Sequence, residues 1–352
     1  MIARFIGVVL FVVVTVVPSH SAGTSGGTML KYSPGARQQA LGDCGSALGG
    51  DFNSINFNPA LLAVCPGFNA SVLYDNAFDD AAIYYGAVGK SFKFINTAMA
   101  FTSYQGGNIL INDRKEDMDG SILNSQTDYL ITLFLAKKLL GGLSLGVAPK
   151  YFYSTLIEEY QAAAVTADAG LFLDTAILKM GKKKINRGLY SDGLNLGVSA
   201  RNIFGEIKYD TAADPLPMEI RGGFSYPLKI GADHSLLILD EILKSNEDET
   251  LKYGAGIEYT NKEMFHLRGG YRINYGIRNF SAGIGLNYYG FIFDYSMLFN
   301  SAINNNHLVM VSYSSALRDK LKKSRKPGER KMKMPKIKSP GKSGKFRKKK
   351  RK

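Results

Sequence analysis

From residue 67 to about 315 the chain alternates apolar and polar side chains with a period of two, in runs separated by polar or turn-forming stretches. Leu194, Leu196, Val198 and Ala200 share one face, as do Phe280, Ala282, Ile284 and Leu286. The most apolar stripe is Phe291, Phe293, Tyr295, Met297 and Phe299, with Asp294 and Ser296 opposite. Period two is the signature of a strand with two unlike faces. The pattern predicts strands at 68–74, 81–90, 94–104, 128–138, 143–153, 162–174 and 193–203. It continues at 218–227, 234–243, 251–259, 264–273, 280–288, 291–299 and 307–315, about fourteen in all. Such strands form either a membrane barrel, apolar face to lipid and polar face to the lumen, or a soluble sandwich with the apolar faces inside. An even strand number, strands of roughly ten residues and an export leader favour the barrel. The expected fold is all-β: an outer-membrane barrel of about fourteen antiparallel strands.

The leader is residues 1–21. Arg4 supplies the positive start, and residues 5–17 form an apolar run of 13 that Pro18 ends, short for a membrane helix. Ser19, Ser21 and Gly23 give small residues for cleavage after Ser21 or Gly23; a retained anchor is the alternative. No cysteine stands at the cleavage site, which argues against a lipoprotein. The mean hydropathy of −0.09 suits a barrel with a wet lumen better than a helical membrane protein. Twenty Tyr and 20 Phe can supply interfacial girdles, although Trp is absent.

The net charge of +14 belongs to the tail. Residues 318–352 hold 19 Lys and Arg against Asp319 and Glu329, leaving the rest slightly acidic. With Pro327, Pro335 and Pro340 and few apolar residues, the tail reads as disordered. Basic runs bind nucleic acid or anionic surfaces. In an exported protein anionic lipid headgroups are the available partner and nucleic acid is not expected; a solvated tail without a partner is the plain alternative. The tail also leaves Tyr313, the last strand aromatic, far from the terminus, unlike the usual barrel. The reading places both termini on the periplasmic side.

Residues 24–66 lack alternation and are rich in Gly, Asn, Ser and Ala. Gly42, Gly45, Gly49 and Gly50 permit close backbone packing. Asn58 and Pro59 predict a capped short helix over 59–63. Cys44 and Cys65 are the only two cysteines, and a disulfide between them is open in an exported protein. The stretch Gly35-Ala36-Arg37 through Leu41-Gly42-Asp43-Cys44-Gly45, then Asp51, Asn53, Ser54 and Asn56-Phe57-Asn58-Pro59-Ala60, resembles the N-terminal signature of the PorV/PorQ family, relatives of the FadL fatty-acid channels. That resemblance implies a fourteen-stranded barrel (67–317) with this segment as a hatch. It also implies a part in type IX secretion, with secreted proteins or secretion components as partners. The FadL relationship implies the alternative, passage of fatty acids or other hydrophobic small molecules. The long polar connections 105–127 and 205–216 are the candidate docking loops, while the basic stretch 179–187 has no assigned place.

Nothing in the sequence points to an enzyme, a metal or a cofactor. Gly142-Leu143-Ser144-Leu145-Gly146 matches a nucleophile elbow, but that motif needs a strand-to-helix turn and here the serine lies within an alternating strand. His20, His234, His266 and His307 are scattered. Asp240 and Glu241 are neighbours on a strand and point to opposite faces, so they do not form an acid–base pair.

Overall fold

The computed structural model describes residues 26–77, 80–110, 122–175, 193–231, 233–248, 250–276, 279–300 and 304–324. The leader, the middle of the 105–127 connection, the basic stretch 179–187 and the tail beyond 324 lie outside the described residues. The strands in chain order are β1 (Phe68–Asn76), β2 (Ala82–Ser91), β3 (Asn96–Gln105), β4 (Asn108–Leu110), β5 (Ile122–Asn124) and β6 (Gln126–Lys138). Then come β7 (Leu143–Leu156), β8 (Tyr160–Asp174), β9 (Asn195–Arg201), β10 (Glu206–Lys208), β11 (Ala213–Pro215) and β12 (Glu219–Lys229). The last six are β13 (His234–Ser245), β14 (Lys252–Asn261), β15 (Phe265–Ile273), β16 (Phe280–Tyr288), β17 (Phe291–Phe299) and β18 (Asn306–Ser314).

Fourteen of these close into one barrel, every neighbouring pair antiparallel, with β1 against β18 completing the ring (Val72 opposite Val311). The other four make two small hairpins, β4–β5 and β10–β11, within long connections. Closure leaves no sheet edge, as a wall in lipid requires. Along each strand buried residues alternate with exposed ones, for instance in β8 and β14. The exposed set is the apolar one, including Val72, Val88, Leu171, Val198, Ile257 and Ile284, so the alternation faces outward to lipid. Tyr74, Tyr84, Phe101, Tyr129, Tyr271 and Phe280 belt one rim, and Phe68, Phe291, Tyr288 and Tyr313 the other. Among the described barrel strands Asp240 is the one outward-facing carboxylate; Glu241 beside it is buried inside.

The two rims differ. One carries short turns, such as 92–95, 139–142 and Tyr289-Gly290, whose positive φ angles of 49° and 93° give the tight hairpin expected there. The turn placed at Asn261-Lys262 sits one residue later, with Lys262 and Glu263 at φ 51° and 55°. The opposite rim carries most of the long connections, including 106–125 and 202–218.

The chain beyond β18 departs from the expected open tail: Ser315–Ser324 is a helix, α2. The Ser315 hydroxyl accepts from the Phe68 amide at 2.8 Å, Leu317 is buried, and Lys320 pairs with Glu263 at 2.5 Å. No described helix is long and apolar enough to cross a membrane.

Candidate functional site

Residues 26–66 lie inside the barrel. They are short helical turns and loops with little side-chain bulk, and nearly all of them are buried. Helix α1 (Ala36–Ala40) follows Gly35 and is buried throughout. From it, Arg37 grips Glu258 of β14 with two bonds, Nε to Oε2 at 2.8 Å and Nη2 to Oε1 at 2.7 Å. Glu258 also accepts from Arg268 Nε at 2.7 Å, and Arg268 reaches Asp294 at 2.5 Å. Arg37 Nη1 turns back to Asp51 of the plug at 3.1 Å. Bidentate, charge-assisted bonds of this kind are the strong ones in a protein interior.

A second cluster forms where Gly42 and Asp43 both take left-handed backbone, φ 76° and 64°. A Cβ on Gly42 would also stand 2.6 Å from the Ala255 carbonyl oxygen, so only glycine fits. This sharp turn aims the Asp43 carboxylate at Arg221 Nη1 (3.0 Å), Gln39 Nε2 (2.8 Å) and the Tyr275 hydroxyl (3.2 Å). Arg221 also binds Glu241 at 3.1 Å, and Glu241 Oε2 accepts the Gly45 amide, the Ser46 amide and the Ser46 hydroxyl at 2.7, 2.8 and 2.9 Å. Gly45 lies flat on the Phe57 ring, over which Arg221 also sits, 5.3 Å from the centroid.

The Asn-Pro-Ala stretch makes the third contact. Pro59–Val64 is a 3-10 helix, with Asn58 capping the Ala60 amide at 3.0 Å and Pro59 at its first position. The Asn58 amide nitrogen donates to the carbonyls of Ser46 and of Leu171 in the wall, each at 2.9 Å. Asn56 donates to Pro34 O and to the Tyr85 hydroxyl, each at 2.9 Å. Pro59 and Ala60 rest on Gly146, Asn58 on Gly170, and Ser46 on Gly197. These wall glycines face inward, and any side chain there would enter plug atoms. The expected hatch residues are therefore brought together in one body against the wall.

Sequence reasoning missed the wall partners Arg221, Glu241, Glu258, Arg268 and Asp294. It also missed a further network that holds the start of the plug. Lys150 pairs with Asp168 at 2.7 Å and Arg201 with Glu219 at 2.7 Å; Arg201 Nη2 donates to Leu30 O at 2.9 Å and Tyr32 O at 3.1 Å. Leu30 and Met29 are thereby set among Leu130, Phe152, Ile207 and Leu216, under the long connections, with Tyr104 and Tyr209 packed at the edge. Gly26 abuts Ile207 and Asp214 of the β10–β11 hairpin. Among the described residues the plug thus runs from the tight-turn rim, where it joins β1, to the β10–β11 hairpin at the opposite rim.

Cys44 and Cys65 are free buried thiols in separate apolar clusters, so the disulfide left open by the sequence is not made. Burial pushes the Cys44 thiol far up, and Glu241 and Asp43 add to that effect. Ser144 points inward from β7, buried, with strand on both sides. Among the described residues no three His, Cys, Asp or Glu side chains group as a metal site.

Burial alone would raise the Asp43 carboxyl, but the Arg221 and Arg272 guanidiniums, with hydrogen bonds from Arg221 and Tyr275, hold it below the ordinary 3.8. A depressed carboxyl adds stability above its unfolded value and loses it as pH falls through the folded one. Acidification from pH 3.8 downward is therefore expected to loosen the Gly42-Asp43 turn. Hydrogen exchange of the residue 43 amide, which donates to the Gln38 carbonyl at 3.0 Å, should accelerate there in the native chain but show no such acid step in Asp43→Asn; an unchanged acid step in the variant rejects the assignment.

No protein-family model matches the chain, and no curated protein matches it. Solved structures do. The toluene transporter TodX of Pseudomonas putida superposes with a TM-score of 0.51 at 11% identity, covering 80% of this chain and 98% of that one. A FadL homologue of Pseudomonas aeruginosa gives 0.49 at 10% identity, covering 85% and 99%. The class is thus a plugged, fourteen-stranded barrel of outer-membrane type. Within that class the chain shares the overall fold of TodX.

Proposed function

We propose that this protein is a non-enzymatic outer-membrane channel for hydrophobic small molecules, gated by residues 26–66. The observation that carries the reading is the setting of Met29 and Leu30. Two apolar side chains of the plug fill an apolar cluster beneath the long connections, the place where an apolar solute entering from that rim would lodge. The TodX likeness supports it, since that protein is a toluene transporter. Residues 1–21 act as the export leader, 24–66 as the hatch, 67–317 as the barrel, and 318–352 as a basic appendage toward anionic headgroups. Purified barrel in liposomes should admit fatty acids or monoaromatic hydrocarbons faster than protein-free liposomes, and deletion of residues 26–66 should change that rate. Equal uptake of every compound by intact and deleted barrels overturns the proposal.

A second reading, docking of type IX secretion substrates, rests on the Gly35–Ala60 resemblance to PorV/PorQ proteins. Its contact surfaces are the connections 105–127 and 205–216. Photo-cross-linkers placed there should capture secreted proteins in living cells, and capture of none rejects it.

A further inference from the structure

The outer wall carries a groove of about 480 Å³ across β18, β1, β2 and β3. Its origin is legible in the register. Ala70 stands between Tyr313 and Val88, and Gly86 between Val72 and Phe101. The two smallest outward residues are thus diagonal neighbours on adjacent strands, flanked by large ones. Phe291 and Tyr313, rings 5.1 Å apart, wall one side, and Met99 and Phe101 the other. Toward the long-connection rim, Tyr74 and Tyr84 close the groove, their rings 5.5 Å apart. Toward the tight-turn rim the next outward pair is Phe68 and Lys90.

The charges at that end are unequal. Lys90 lies 5.4 Å over the Phe92 ring and Lys93 lies 5.3 Å over Phe94, both lysines exposed on the rim. Arg318 of α2 lies against Tyr313 and contacts Asp319 at 3.0 Å, and Lys320 is engaged by Glu263. Among the described residues, Arg318 is paired with Asp319, whereas Lys90 and Lys93 have only ring faces beside them, so the end of the groove is net cationic. An apolar channel between aromatic belts that opens at the headgroup level onto a cationic rim has the form of a phospholipid: acyl chain below, phosphate above.

We propose that this groove is a binding site for one anionic glycerophospholipid of the leaflet at the tight-turn rim. An acyl chain lies over Ala70 and Gly86, and the headgroup lies at Lys90 and Arg318. The site rests on the outer-membrane barrel reading and is independent of what passes through the lumen.

The test uses the full chain in nanodiscs of phosphatidylglycerol and phosphatidylethanolamine, followed by native mass spectrometry of the released protein. One phosphatidylglycerol should be retained. Lys90→Glu should lower its retention about fivefold or more. Gly86→Phe fills the groove and should abolish retention; the outward space at Gly86 meets nothing closer than 4.0 Å, so the wall tolerates the ring. Gly222→Phe, outward on β12 with nothing within 4 Å, is the matched control and should retain lipid normally. Because the chain has no Trp, Met99→Trp supplies a lone indole that can be excited selectively over the tyrosines. Dibrominated phosphatidylglycerol should quench it at lower mole fraction than dibrominated phosphatidylethanolamine. Equal retention by wild type and Gly86→Phe, or equal retention and quenching for the two lipids, overturns the proposal. Failure of the barrel reading shows differently, as loss of heat-dependent gel mobility and of incorporation into nanodiscs.

Discussion

Glu258→Ala is expected to lower the stability of the folded barrel by about 3–5 kcal/mol, the usual effect of deleting one partner of a buried ion pair. Glu258 is the only carboxylate that Arg37 and Arg268 share among the described residues, and it takes three bonds of 2.7–2.8 Å from them. Removing it leaves two guanidiniums facing each other in the lumen, with Asp51 still beside Arg37 and Asp294 still beside Arg268. Repulsion then acts across the joint between plug and wall rather than within either. The plug should therefore release before the barrel unfolds. In planar bilayers the variant should show frequent openings where the native protein is mostly closed, and its heat-modifiability midpoint should fall. Glu258→Gln keeps the shape and one acceptor, so it should lie between the two. Unchanged conductance and an unchanged midpoint in the alanine variant would show that the Arg37–Glu258–Arg268 joint does not hold the plug.

Gly197→Val tests the same joint by shape. Gly197 faces inward on β9, and a Cβ there runs into the Ser46 carbonyl, with the Ala47 amide nitrogen 3.0 Å away. The obstructing atoms are backbone, so no rotamer relieves the clash. Overpacking of this sort costs about 1–3 kcal/mol where side chains can shift and more where they cannot. The easier adjustment is displacement of the plug, because β9 is held on both sides by β8 and β12. Trypsin should then cut at Arg37, which is buried in the native protein, while the barrel keeps its heat-dependent mobility. A native cleavage pattern in the variant sinks this prediction. Gly222→Val, facing outward into open space, should leave Arg37 protected.

The wall was legible because lipid on one side and a lumen on the other impose a strict period of two. Phe291, Phe293, Tyr295, Met297 and Phe299 announce β17 without ambiguity, and the separation of Asp240 from Glu241 follows from the same rule. Strand ends were less legible, since pairing continues past the alternating part, as in β7 through Leu156. The β4–β5 and β10–β11 hairpins are too short to show a period. Ser315–Ser324 was hidden by its basic composition, which reads as open chain, although Ser315 and Leu317 anchor it to the rim. At the plug, Gly42, Asn58 and Pro59 stood out through their backbone demands, and Arg37 and Asp43 through the family resemblance. Their partners did not. Glu258, Arg268 and Asp294 occupy inward strand positions, where a charge looks like any side chain wetted by a channel. Only the three-dimensional path of residues 26–66 turns them from solvated groups into a joint. The inward glycines had the same fate: Gly146, Gly170 and Gly197 weaken a strand in isolation, and their use appears only once another backbone lies against them.

The plug precedes the whole of the described wall along the chain, and its partners come late. Arg37 waits 221 residues for Glu258, and Asn53 waits 259 for Ser312, on the strand that closes the ring. Contacts of such separation form slowly. The cylinder is accordingly wound around its own beginning, like cord around a spindle, and the last stave can be set only when the spindle is seated. A chain that joined β1 to β18 prematurely would trap its opening segment outside, with a hollow wall and buried charges left facing water.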